Sequence, residues 1–246
     1  MNVVVVMPAY EPSPELPGRV RRLQDELDAP VVVVDDGSCA SCRPLFDEVA
    51  GMPGCTVLRH GVNRGKGAAL KTAYSFAAEN LQDSFGVIAV DADGQHAPED
   101  CRRLAEALME GPRALYLGVR DLSLGKTPFR SWWGNRWTSL EFVALFGLWV
   151  PDTQTGLRAF RMSDVPFFLS IPGDGYEYEM AALGHAARAA LPFRMLAIRT
   201  IYDAGNASSH FCPFRDTVRI HRSLYAARFG QTPRMRSLAI DSAGSI

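Results

Sequence analysis

The chain has 246 residues, of which 47% are hydrophobic and 22% charged, with a formal net charge of -1. That is enough apolar material for the core of one large domain or two small ones. The near-neutral charge excludes a global basic field for wrapping nucleic acid. The longest charge-free apolar run, Phe142–Val150, is well short of a membrane-spanning helix. Met1 leads straight into Val3–Val6 without the basic start and small-residue cleavage site of a signal peptide, so a soluble, cytoplasmic chain is expected.

In chain order, Val3–Met7 is a β-branched apolar run closed by Pro8, and Leu16, Val20, Leu23 and Leu27 follow at helical spacing. Val31–Val34 is a second continuous run, ended by Asp35-Asp36-Gly37-Ser38, and Thr56–Leu58 is a short third strand. Leu70, Ala73, Tyr74 and Ala77 repeat at i, i+3, i+4, i+7, which predicts a helix over Gly67–Asn80. Gly86–Val90 is the next strand, Pro98 opens a helix carrying Cys101, Leu104, Ala105 and Leu108, and Leu115–Val119 closes the series. Strands without alternation, separated by amphipathic helices, imply a parallel sheet covered on both faces.

Ligands in such a sheet bind beyond the carboxyl ends of its strands. Three polar clusters fall on those ends: Pro8-Ala9-Tyr10-Glu11, Asp35-Asp36-Gly37-Ser38, and Asp91-Ala92-Asp93-Gly94-Gln95-His96. Two carboxylates at i, i+2 suit a hard dication such as Mg²⁺ or Mn²⁺ with positions left for phosphate oxygens. An Asp-Gly turn reads equally well from those residues alone. A fourth cluster, Asn63-Arg64-Gly65-Lys66-Gly67, opens a helix, where glycines let backbone N–H groups approach an anion. Five cysteines, an odd number, argue against a disulfide framework. Cys39 and Cys42 form a C-x-x-C, but zinc would need a second pair and Cys55, Cys101 and Cys212 are scattered. A redox dithiol and a reduced bystander pair both stay open, and no chemistry is assigned.

Pro8-Ala9-Tyr10-Glu11, Asp35-Asp36-Gly37-Ser38, the N-R-G-K-G-A-A-L of Asn63–Leu70, D-A-D-G-Q-H, and the D-T-Q-T-G-L-R of Asp152–Arg158 resemble the family 2 glycosyltransferases with the GT-A fold. The similarity is greatest to the branch of dolichol-phosphate mannosyltransferases and related polyprenyl-phosphate glycosyltransferases. It implies a mostly parallel α/β sheet in one domain over residues 1–211, with a nucleotide-binding half (1–120) and an acceptor-binding half (121–211). It implies that Pro8, Tyr10 and Glu11 line the nucleotide pocket, that Asp35 and Asp36 contact base or ribose, and that Lys66 lies beside the nucleotide. Asp91, Asp93 and Gln95 would surround Mg²⁺ or Mn²⁺, and Arg120 and Arg130 would face donor or acceptor phosphates.

Such an enzyme moves a sugar from a nucleotide donor to a lipid phosphate or glycan-like acceptor and inverts the anomeric centre. A hydroxyl acceptor needs a carboxylate base, whereas a phosphate is already ionised. Gly175-Tyr176-Glu177-Tyr178-Glu179 supplies the carboxylates. Positions i and i+2 of a helix diverge, so Glu179 is preferred over Glu177, with dipole compensation at a helix start the alternative role for both. A sugar-phosphate nucleotidyltransferase and a non-catalytic nucleotide-binding regulator remain the other function classes.

The last third departs from the mannosyltransferase pattern. Pro192–Tyr202 reads as a strand before a Gly/Asn/Ser loop whose His210 is a further metal or diphosphate contact or a solvated histidine. Arg130–Phe146 carries Trp132, Trp133 and Trp137, and Arg215–Arg236 has six arginines and a single acid. The basic amphipathic helix expected over 212–230 fits either a membrane surface or the core, and 231–246 is expected to be a disordered tail.

Overall fold

The computed structural model describes residues 1–121, 129–199, 201 and 213–230, the side chains of 129–132 and 213–216 excepted. Arg130, Trp132, His210 and the tail expected over 231–246 therefore lie outside what is described. Strand β1 (Val3–Ala9) is a run of apolar residues without alternation because both sheet faces are covered. Its even residues Val4 and Val6 join one core layer, and its odd residues Val3, Val5 and Met7 join the other. The second layer is filled by helix α1 (Leu16–Leu27), helix α2 (Arg43–Ala50) and helix α4 (Pro98–Glu110), which present Leu16, Val20, Phe46, Val49, Leu104 and Leu108. The first layer is filled by α3 (Lys66–Asn80), α5 (Phe129–Phe146), the short α6 (Val165–Leu169), α7 (Glu177–Arg188) and α8 (Pro213–Phe229).

The remaining strands are β2 (Val31–Asp35), β3 (Cys55–Arg59), β4 (Gly86–Ala89), β5 (Leu115–Arg120), β6 (Arg158–Arg161) and β7 (Phe193–Ile198), in spatial order β3-β2-β1-β4-β6-β5-β7. All pairings are parallel except those of β6, which runs antiparallel between β4 and β5. With arginine at both ends, this four-residue strand gives no apolar run to predict, and α2 and α6 escape the sequence reading for similar brevity. The reversed direction of β6 matters for the site. Its first residue, Arg158, pairs with Ala89 and Leu117, so the chain enters β6 at the carboxyl edge of the parallel strands.

Helix α8 is built into the core. Ile220, Leu224 and Ala227 are buried, and Gly184 in α7 lets the two helices close up, since a Cβ there would lie 2.8 Å from the Ala227 Cβ. Arg228 donates from Nε to the Leu145 carbonyl at 2.9 Å, and His221 bonds Glu141, tying α8 to α5. The opposite stripe of α8, with Val218, Tyr225 and Phe229, is exposed. Leu224→Ala is expected to cost about 2–5 kcal/mol, as for other buried leucines, read as a lower midpoint in urea unfolding. An unchanged midpoint would mean that α8 is not part of the cooperative core.

Candidate active site

The carboxyl ends of β1, β2 and β4 place Tyr10 and Glu11, Asp35 and Asp36, and Asp91 to Asp93 along one edge of the sheet. Lys66, in the first turn of α3, and Glu179, in the first turn of α7, reach the same edge. The Lys66 Nζ lies 2.7 Å from Asp91 Oδ1 and 2.7 Å from Glu179 Oε2, and all three side chains are largely buried. Burial opposes the lysine's charge, but the two carboxylates outweigh it and raise its pKa above the ordinary value. Burial likewise works against the Asp91 carboxylate, yet Lys66 and then His96, 3.9 Å from Oδ2, hold it well below the usual range.

Asp93 behaves oppositely. Burial and then the negative charge of Asp91 push its carboxyl up, against the N–H of Gln95, which donates to Oδ1 at 3.0 Å. Among the described residues no ion pair of Asp93 is seen. One ammonium thus serves two of three neighbouring carboxylates, and His96 Nδ1 is buried without a hydrogen-bond partner among the described residues. A hard dication fits this surplus of oxygen donors and negative charge.

Two approaches that only glycine permits set the geometry. A Cβ on Gly156, just before β6, would sit 2.0 Å from Asp91 Oδ2, so the chain entering β6 packs directly on that carboxylate. Gly65, at φ 100°, and Gly67 let α3 meet the start of α7, where Cβ atoms would strike Asp174 O at 2.4 Å and Tyr178 Cβ at 2.5 Å. The N–H groups of Gly67 and Ala68 donate to the carbonyls of Gly175 (3.2 Å) and Asp174 (2.9 Å). Those of Arg64 and Gly65 donate to Asp36 at 2.9 and 2.8 Å. These four amides of the glycine-rich stretch close the protein on itself, and the stretch delivers Lys66 to the edge.

Other charged residues singled out in the sequence are also bonded within the protein. The Asp36 carboxylate is buried, and besides those two amides it bonds His60 Nδ1 at 2.7 Å, which shapes the 60–66 loop. Asp35 accepts from the Ser38 N–H at 2.9 Å through Oδ1. Arg120 donates from Nε and Nη2 to the fully buried Asp152 at 2.7 and 3.1 Å and so braces the 152–156 segment. Glu177 turns back through Oε1 to the Gly175 N–H at 3.1 Å, away from Lys66, as divergence of i and i+2 requires.

Pro8 pairs with Val34 inside the sheet, half-buried, one residue before β1 ends. Glu11, at φ 47°, accepts from the Cys39 N–H at 2.7 Å. Arg158, the last residue of the D-T-Q-T-G-L-R motif, donates from its buried guanidinium to the carbonyls of Thr155 (2.9 Å) and Glu179, fastening the start of α7 to β6.

The family 2 glycosyl transferase model matches residues 4–166. The chain belongs to that family. It is 30% identical over 205 residues to an uncharacterized protein of Methanocaldococcus jannaschii, covering 82% of each chain. To a UDP-N-acetylglucosamine–dolichyl-phosphate N-acetylglucosaminyltransferase of Methanococcus voltae it is 26% identical over 221 residues, 81% of this chain and 86% of the other. To an undecaprenyl-phosphate mannosyltransferase of Micrococcus luteus it is 30% identical over 170 residues, 65% of this chain and 67% of the other. Glucosyl-3-phosphoglycerate synthase from Mycobacterium tuberculosis, solved with Mn²⁺, UDP and phosphoglyceric acid, superposes with a TM-score of 0.66 at 18% identity, over 92% of this chain and 76% of that one. This glycosyltransferase thus has the GT-A fold.

Removing Lys66 strands two carboxylates. Lys66→Met is expected to lower stability by roughly 3 kcal/mol, the low end for breaking a buried pair. Glu179→Gln in the same background should restore part of it, measured by a double-mutant cycle in urea. A coupling of zero between the two positions would contradict the bridge.

Proposed function

We propose that this glycosyltransferase moves a sugar from a nucleoside-diphosphate donor to a polyprenyl-phosphate-type acceptor with inversion at the anomeric carbon, assisted by Mg²⁺ or Mn²⁺. The reading rests on the meeting of Asp91, Asp93, Lys66 and Glu179 at the carboxyl edge of the sheet. The printed activities of the Methanococcus and Micrococcus relatives support the acceptor class. Asp93, Gln95 and the Asp91 oxygen turned away from Lys66 are the residues that would hold the dication. When bound, it would supply Lewis-acid stabilisation of the departing diphosphate.

This chain's own part is largely electrostatic. Lys66 fixes Asp91 and brings a positive charge to the place where the leaving group gains negative charge. Tyr10, Glu11 and Asp35, on the neighbouring strand ends, form the side of the edge left for the nucleotide. A lipid phosphate arrives ionised, so no proton needs to leave it at the moment of attack. Glu179, salt-bridged to Lys66, is accordingly a positioning carboxylate for that acceptor. Glu179→Gln should then cost less than the roughly 10²-fold in turnover that loss of a general base costs.

A lipid acceptor also gives a use to an otherwise unexplained surface. Trp133 and Trp137 on α5 are 55% and 58% exposed, and Phe229 on the neighbouring α8 is 70% exposed. Arg222 and Arg228 are exposed on the same helix. Interfacial aromatics among arginines suit peripheral contact with an anionic bilayer. Among the described residues no helix is long and apolar enough to cross one.

Two measurements test the reading. UDP or GDP at 100 times its dissociation constant should stabilise the protein by about 2.7 kcal/mol, with a Mn²⁺-dependent part that Asp93→Ala removes while leaving the ligand-free melting unchanged. The same variant should lose about 10²-fold or more in nucleoside diphosphate released on adding polyprenyl phosphate. Release of pyrophosphate instead would identify a nucleotidyltransferase. Separately, Trp133→Ser with Trp137→Ser should reduce co-sedimentation with phosphatidylglycerol vesicles without lowering the melting temperature. Equal sedimentation of wild type and variant would remove α5 from the membrane contact.

A further inference from the structure

The two loops that follow β1 and β2 bring together Glu11, Cys39 and Cys42, whose ligand atoms all lie within 4.8 Å of one another. The Cys39 and Cys42 Sγ atoms are 3.8 Å apart, and Glu11 Oε2 is 3.0 Å from the first and 3.5 Å from the second. Both cysteines are free. Tetrahedral zinc, with Zn–S near 2.3 Å and Zn–O near 2.0–2.2 Å, requires S···S of about 3.8 Å and S···O of about 3.5–3.7 Å. Two of the three observed edges coincide with these values. The third, between Cys39 and Glu11, has to open by roughly half an ångström, and Cys39 is exposed and able to give.

We propose that Glu11, Cys39 and Cys42 form a binding site for Zn²⁺ or a similarly thiophilic divalent ion, distinct from the carboxylates at 91–93 and beside the strand ends left for the nucleotide. The missing second cysteine pair, which made the sequence silent about this site, is replaced by a carboxylate from 28 residues upstream of Cys39. Binding displaces one proton from each thiol to solvent, and two thiolates and one carboxylate then share the dication, leaving the fourth position to water. Such an ion would brace the loop after β1 against the loop after β2. The protein already joins them by weaker means: Glu11 Oε1 accepts from the Cys39 N–H at 2.7 Å, and the Glu11 N–H donates to Ser38 Oγ at 3.0 Å. Ser41 Oγ, 2.8 Å from Cys39 Sγ, is placed to bond the sulfur from outside, the kind of outer contact that orients a metal ligand.

Geometry also separates this reading from a redox dithiol. The thiols point at a common carboxylate, and no cation among the described residues is bonded to either sulfur to make it a nucleophile. The test is titration of the full-length, fully reduced protein with Cd²⁺ under saturating Mg²⁺, which blocks the aspartate site, following the thiolate–cadmium charge-transfer band. One equivalent should saturate the band, and Zn²⁺ should displace it. Cys39→Ser, with its fold checked by circular dichroism, should weaken binding by more than the roughly 10- to 100-fold that loss of an outer contact costs. Cys55→Ser should leave binding unchanged. Absence of a band at equimolar Cd²⁺, or a band that survives Cys39→Ser, overturns the proposal. So does a Cys39–Cys42 disulfide that forms on oxidation as fast with Zn²⁺ as without it.

Discussion

A single ammonium group organises the functional edge of this protein. Lys66 is placed by the first turn of α3, and its two partners come from the loop after β4 and the first turn of α7. Three segments far apart in sequence are therefore tied by one charge in a largely buried setting. There its loss leaves uncompensated carboxylates, unlike the loss of a surface ion pair. The pair of effects on Asp91 and Asp93 follows from the same source. Lysine stabilises the charge on the first, and the first, once charged, disfavours charge on the second. That residual negative potential suits the dication proposed for this edge, and a bound nucleoside diphosphate would extend the alternation of charge.

Close backbone contact makes the tie possible. Glycines at 65, 67 and 156 remove the Cβ atoms that would otherwise hold α3 from α7 and the entry of β6 from Asp91. The antiparallel insertion of β6 then delivers Gly156 and Arg158 to the edge where the parallel strands end. Arg158 fastens α7 through the Glu179 carbonyl, and the Arg120–Asp152 pair holds the segment leading into β6. Charges that look like ligand contacts in a linear reading are here the framework around the contacts. That is expected of arginines and aspartates with little exposure, since a buried charge persists only when paired.

Helix α8 presents two unlike stripes. One stripe completes the core against α7, and the other leaves aromatic and basic side chains in solvent. Core packing and membrane contact, competing accounts of a basic amphipathic helix, are compatible because they occupy different faces of it.

The sequence alone determined the strands β1, β2 and β4, the helices α1, α3 and α4, and the family. Unbroken apolar runs and 3.6-residue periodicity are local properties, and the motifs stand at strand ends that those runs define. It also showed that Glu177 and Glu179 cannot serve one site equally, because divergence of side chains along a helix is geometry that any helix imposes. Only the tertiary structure decided which charges are framework. Nothing local distinguishes Asp36, bonded by two amides and His60, from Asp35 beside it, or shows that Arg120 meets Asp152 from 32 residues away. The strand β6 was hidden because its four residues carry arginine at each end, and it is held by neighbours on both sides instead of by its own pattern. Glu11 joined Cys39 and Cys42 for a related reason: adjacent parallel strands end side by side, and sequence distance says nothing about that.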